Sequence, residues 1–425
     1  MRKLLILLCV ICVRPGQAAG PQYDAFFTEE GLRIDFALCG NEREQSAALQ
    51  RLRWEPRWAG PWKNLIDTSG YGSYYVNLYD MASGAPIYSR GFCTLFDEWR
   101  TTDRARFETQ AWDNAVVVPF PRRKVVFELT ARDRATMRFV PLLTLIVDPD
   151  DPAVDRSPLP RYETVDILVS GPPSEKVDLV FLAEGYAAAD RERFLADVRR
   201  FADRLFETEP YARHKDDFNI RAVVLPSADS GADESGRGIW KNTALHSGFY
   251  TFGIDRYLTT SDMRAVRDAV WNVPNDALFI LVDTDIYGGG GFYNFYAIGS
   301  AGHPHTIRVF VHELGHSLAG LADEYFASEV AYNDFYDLRF EPWEPNITTL
   351  VDFGRKWADM LPSDVPIPTP VDAREPLRLG VYEGGGYSAK GIYRPADACC
   401  MRSGDRFCPV CCRAIERAID FLCDR

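Results

Sequence analysis

Basic residues are in deficit in this chain, 48 Lys and Arg against 61 Asp and Glu, which leaves a formal net charge of −13. A surface of that sign repels phosphate, so nucleic acid is excluded as a partner. Long apolar runs are lacking too, because crossing a bilayer takes about 20 apolar residues and the longest run, Leu4 to Val13, falls well short. Stable membrane insertion is therefore not expected. There are no internal repeats, which removes the solenoid folds. Histidine is scarce, with 6 copies in 425 residues. Where two of them share a short motif, the spacing carries information.

The chain opens Met1-Arg2-Lys3, continues through the apolar run and reaches the small residues around Gln17-Ala18-Ala19. That order of basic, apolar and small segments predicts a signal peptide over residues 1–19. Cys9 and Cys12 lack the small residues that precede a lipidated cysteine, so cleavage is expected and not anchoring. The mature protein is then secreted, extracellular or periplasmic. Eight cysteines remain: Cys39, Cys93, Cys399, Cys400, Cys408, Cys411, Cys412 and Cys423. An even number in an exported chain predicts disulfides, with Cys39 and Cys93 the natural pair of the first region. The cluster Cys399-Cys400 with Cys408-Pro-Val-Cys411-Cys412 also suits a structural zinc site, since C-x-x-C is a ligand spacing, but no second clean C-x-x-C accompanies it, and bridges are the preferred reading.

At this length two or three domains are expected. Residues 20–150 hold short alternating or β-branched runs, among them Leu32–Phe36, Tyr74–Tyr79, Val125–Leu129 and Leu142–Val147, and predict an all-β sandwich. The proline-rich stretch 151–163 reads as a linker. From 164 to 425 strands alternate with helices: Val177–Leu182, an amphipathic helix from Asp190 to Glu207, Phe218–Leu225 and Ala277–Val282. This predicts an α/β (α+β) domain, and the chain as a whole is multidomain.

Residues His305 to Leu318 have the apolar spacing of a helix. On it His312 and His316 stand four apart, so both imidazoles leave the same face and can hold one metal ion, with Glu313 beside them. Neutral imidazole suits zinc, and three protein ligands leave a position at which water becomes a nucleophile near neutral pH. Glu313 is the candidate general base and acid. Farther on come Gly320 and Asp323, placed one residue later than the glycine and third ligand of the metzincin pattern. Asp323 is the expected third ligand, with Glu324 and Glu383 as alternatives, and Met401 the candidate for the methionine turn beneath the metal.

Several other positions invite a role. Tyr393 is a candidate to donate its phenol to the oxyanion. The glycines of Tyr287–Asn294 would let a substrate strand approach the backbone. Calcium is an unsupported option for the acidic loop Asp229–Glu234, which lacks the ligand spacing of an EF-hand. His303 and His305 are expected to be solvated. Oligomeric state is not encoded in any of these features.

The phrase HELGHSLAGLADEY resembles the IgA-peptidase family of secreted bacterial metallopeptidases. So do Tyr287–Asn294, Tyr393-Arg-Pro395 with Met401, and Tyr88–Trp99. The resemblance runs from about residue 22 to the C-terminus. It implies an N-terminal β domain and a metzincin-like catalytic domain with His312 and His316 as zinc ligands and Glu313 as catalytic residue. The expected activity is zinc-dependent endopeptidase action on a protein or peptide. The rival readings are a zinc hydrolase of a non-peptide amide such as cell-wall material, and a surface binding protein with a structural zinc.

Overall fold

The computed structural model describes residues 20–327 and 335–425. The expected signal peptide, with Cys9 and Cys12, lies outside the described residues. Among the described residues no helix is long and apolar enough to cross a membrane.

The N-terminal region carries two four-stranded sheets. The first is built from β1 (Phe27–Gly40), β2 (Gln45–Glu55), β5 (Gln110–Pro121) and β8 (Val154–Asp155) in the order β5-β1-β2-β8. The second is built from β3 (Tyr74–Asp80), β4 (Pro86–Phe92), β6 (Val125–Arg132) and β7 (Phe139–Val147) in the order β4-β3-β6-β7. All pairings are antiparallel except β2 with β8, whose two residues come from the stretch read as linker. Leu32, Ile34, Phe36 and Leu38 of the first sheet share one apolar core with Val76, Leu78, Phe127 and Leu129 of the second.

Alternation in β1 suggests one apolar and one polar face, yet both are buried. Arg33 and Asp35 are as inaccessible as their apolar neighbours. Their face is covered by the helix α2 (Met263–Val270), which packs on β5 and supplies Asp268 to Arg33 at 2.6 Å, while Arg33 Nε meets Asp35 at 2.5 Å. The period of two was legible in sequence. What covers the polar face is set by a residue more than two hundred positions away.

The second region is organised by a six-stranded sheet of β9 (Glu163–Leu168), β10 (Val177–Glu184), β11 (Phe218–Val224), β12 (Ala277–Val282), β13 (Gly289–Phe292) and β14 (Tyr296–Ser300). Its order is β13-β14-β12-β10-β11-β9. The four inner strands are parallel and the two edges antiparallel. Every residue of β10 and β12 is buried, which explains their continuous apolar runs. Two helices, α1 (Arg191–Phe206) and α3 (Thr306–Ala319), meet over this sheet. Phe201 of α1 and Phe310 of α3 pack with Phe181 of β10 and Phe279 of β12, and Phe310 sits 4.8 to 5.6 Å from the other three ring centroids. This aromatic cluster fixes α3 on the sheet. A hairpin of β15 (Tyr382–Gly385) and β16 (Ser388–Arg394) and a final helix α4 (Pro409–Leu422) complete the fold, with α4 packed against α3.

Candidate active site

Helix α3 presents His312 and His316 one turn apart. It ends at Gly320, whose φ of +63° is left-handed and whose N–H donates to His316 O at 3.0 Å. A Cβ there would fall 2.9 Å from the Trp343 ring, so glycine is required twice over. The reversal brings the next residues back beneath the helix. His316 Nδ1 lies 2.5 Å from Leu321 O, and His312 Nδ1 lies 2.9 Å from Cys400 O. A carbonyl can only accept, so each Nδ1 carries the proton and each Nε2 presents a lone pair.

Those lone pairs converge. His312 Nε2 and His316 Nε2 are 3.1 Å apart, and Asp323 Oδ1 lies 3.0 and 3.4 Å from them. A tetrahedral ion with bonds of about 2.0–2.1 Å to nitrogen or oxygen has ligand-to-ligand edges of about 3.3–3.5 Å. The triangle is of that size. Asp323 Oδ1 is buried with no hydrogen-bond donor, so the three atoms are acceptors directed at one point. A divalent cation satisfies all three. In its place a proton is attracted: burial pulls His316 down, but Asp323 and Glu313 reverse this and lift it to about 9. Asp323 is held well below the usual carboxylate range, its burial outweighed by His316 and His312. Its other oxygen, Oδ2, accepts from the Tyr387 hydroxyl at 2.5 Å.

Glu313 lies with the two histidines in a cluster whose ligand atoms are within 4.8 Å of one another. Burial raises its pKa, partly offset by His312 and His316. The edge strand β13 runs past it, and a Cβ on Gly289 would stand 2.6 Å from Val309 and 3.1 Å from Glu313 Oε1. Met401 is fully buried, its sulfur 3.0 Å from where a side chain on Gly315 would begin, between the two histidines in sequence.

The residues open into a cleft of about 400 Å³. Arg256, Tyr287, Tyr325 and Trp343 line it from the second region, and Asp97 and Glu98 from the first. The two regions are tied there by Cys93 N–H donating to Tyr293 O at 2.8 Å and by the Tyr257 hydroxyl on Glu98.

The remaining sequence expectations lie as follows. Tyr393 is not part of the cleft wall, because it lies in β16 with its backbone paired to Glu383 and Thr348. Glu383 is in the same hairpin and pairs with Lys390 at 3.0 Å. Glu324 turns away from the histidines into a group of cysteines. In the acidic loop, Asp229 and Asp233 accept backbone N–H groups of Asn242 and Lys241, and Glu234 pairs with Arg237, so these carboxylates already have protein partners. The expected disulfides are not formed: all eight cysteines described are free thiols. Cys39 lies in β1 opposite Ser46 and Ala111, whereas Cys93 faces the Ser73 hydroxyl at 3.7 Å.

Sequence reasoning missed Tyr387, Tyr325, Arg256 and the acidic wall at Asp97 and Glu98. Tyr387 is one tyrosine among 20 and nothing local marks it. The Tyr88–Trp99 stretch did carry a signal, since Asp97 and Glu98 lie within it.

A helix with two convergent histidines and an adjacent glutamate, set in a cleft beside a sheet edge, places the chain among the peptidases. Its sequence matches the family described as IgA Peptidase M64 over residues 165–375 and 371–419, and the one described as Peptidase M64 N-terminus over 22–140. The chain belongs to the M64 peptidase family. A comparison with curated proteins finds no match.

Proposed function

We propose that this peptidase is a secreted zinc-dependent endopeptidase in which His312, His316 and Asp323 hold the metal and Glu313 moves the proton. The observation that carries the reading is the convergence of three lone-pair atoms, with edges of 3.0 to 3.4 Å, beside a half-buried glutamate. Bound zinc supplies Lewis acidity to the scissile carbonyl and to water.

The protein's own groups do the rest. The Cys400 and Leu321 carbonyls keep both imidazoles in the tautomer that frees Nε2. Tyr387 fixes Asp323 so that Oδ1, and not Oδ2, faces the histidines. Glu313 takes a proton from the attacking water on a carboxylate oxygen and delivers it to the departing amine nitrogen. The reversal at Gly320 and the burial of Met401 beneath α3 support a metzincin-like arrangement in which a carboxylate replaces the third histidine. An extended peptide would run along the glycine strand β13.

We assign residues 20–150 and 164–425 to two domains, the first supplying Asp97 and Glu98 to the cleft wall and so contacting substrate. The family's description does not assign immunoglobulin as the substrate of this chain. Mass spectrometry of a proteome-derived peptide library tests the reading: internal cleavage that stops with chelator and returns with zinc is expected. Cleavage indifferent to chelator contradicts it, and hydrolysis confined to cell-wall amides would replace it.

A further inference from the structure

Behind the cleft, beyond the peptide bond that joins Asp323 to Glu324, a second set of donor atoms converges. Glu324, Cys399, Cys408 and Cys411 bring one carboxylate oxygen and three sulfurs within 4.8 Å of one another. All four residues are completely buried. Cys411 Sγ lies 3.7 Å from Cys399 Sγ and 3.2 Å from Glu324 Oε1. A disulfide bond measures about 2.05 Å. A tetrahedron with Zn–S bonds of about 2.3 Å has sulfur-to-sulfur edges of about 3.8 Å. The observed sulfur spacing is that of ligands around an ion.

Charge and local structure agree with this. Glu324 Oε1 accepts from Asn346 Nδ2 at 2.9 Å, but Oε2 is buried with no partner, an expensive state for a carboxylate unless a cation meets it. The nearby Arg394 directs its Nη atoms to Glu383 O, Gly384 O and Asp397, not to Glu324. Cys408 immediately precedes α4, with Pro409 at the first helical position, so the C-x-x-C spacing carries Cys411 onto the first turn beside it. Cys408 N–H also points at Cys399 Sγ, 3.3 Å away, a donor suited to a thiolate. Cys412 faces the Phe407 carbonyl, and Cys400 lines the cleft, so neither joins the group.

We propose that Cys399, Cys408, Cys411 and Glu324 form a closed structural zinc site. Soft thiolates select zinc over harder divalent ions, and four protein ligands leave no open position for a reaction. The site braces the cleft from behind. Glu324 is covalently next to Asp323 and its N–H donates to Met401 O at 2.8 Å, while Cys400, next to Cys399, offers the carbonyl that orients His312.

The test uses the full mature chain, because Cys→Ser variants at a buried site are liable to unfold. Zinc content is measured by mass spectrometry in the wild type and in a His312→Ala/His316→Ala double variant, together with disulfide mapping by non-reducing digestion. The expected result is two zinc ions per chain in the wild type and one in the double variant, with no disulfide among Cys399, Cys408 and Cys411. Replacing the remaining zinc with cobalt should give the intense near-ultraviolet absorption of thiolate-to-cobalt charge transfer. If wild type and double variant each hold one zinc with that cobalt signature, the cysteine site stands and the histidine site fails. A double variant without metal, a disulfide among the three cysteines, or cobalt bound without thiolate absorption overturns the proposal.

Discussion

Asp323 and Glu324 are neighbours in sequence and face opposite ways. Asp323 joins two imidazoles at the floor of a cleft, with its second oxygen held by Tyr387. Glu324 joins three cysteines in a sealed interior, among residues without solvent exposure. Both sets of donors are close enough to hold an ion. They differ in ligand hardness and in access. Nitrogen and oxygen donors beside an open cleft, with a glutamate nearby, suit a reaction. Sulfur donors closed on every side suit a brace.

Several changes should break or sharpen this contrast, and the largest effect falls on the open site. His316→Ala should reduce peptide cleavage to the level of a blank and remove the metal from the cleft, read by a fluorescent peptide assay with metal analysis. Phe310→Ala leaves all ligands in place but removes the ring that anchors α3; a loss of about 3–5 kcal/mol is expected for such a truncation, measured by denaturant unfolding. Tyr387→Phe frees Asp323 Oδ2 and should weaken metal binding about 10- to 100-fold, read by competition with a chelator, without moving the zinc content assigned to the cysteines.

The pH dependence follows from Glu313. Burial raises its pKa above the ordinary value of 4.5, and the base must be the carboxylate. Activity should therefore fall as pH drops through the pKa of Glu313, read as an acid limb of kcat/KM that is absent from the residual activity of Glu313→Gln. The same acid limb in that variant would remove Glu313 as the base. Smallest of all, Tyr393→Phe should leave turnover unchanged, because that phenol is outside the cleft wall.

The open site was largely readable from sequence, and the closed one only as a cysteine cluster without its carboxylate. Two histidines four residues apart, an adjacent glutamate and a following glycine are local facts, and helix geometry alone turns them into a shared face. The apolar runs of β10, Leu179–Ala183, and β12, Ala277–Val282, were equally plain. Tyr387 reaches Asp323 only through the hairpin β15–β16, and Asp97 and Glu98 reach the cleft only because the first region docks there; neither has a local signature. The cysteines misled for a related reason. Their even count in an expected exported chain suggested bridges, whereas the fold sets Cys399 and Cys411 at non-bonded distance with Glu324 beside Cys411. Spacing within Cys408–Cys411 was visible, but the partner carboxylate lies more than seventy residues upstream.

The most direct test of the open site is Glu313→Gln, with zinc content and cleavage of one peptide measured on the same sample. Zinc should remain at the wild-type level, because the proposed ligands are His312, His316 and Asp323, while cleavage falls by about 10²–10⁴-fold, the range ascribed to a positioned acid–base group. Wild-type turnover by that variant would contradict the account.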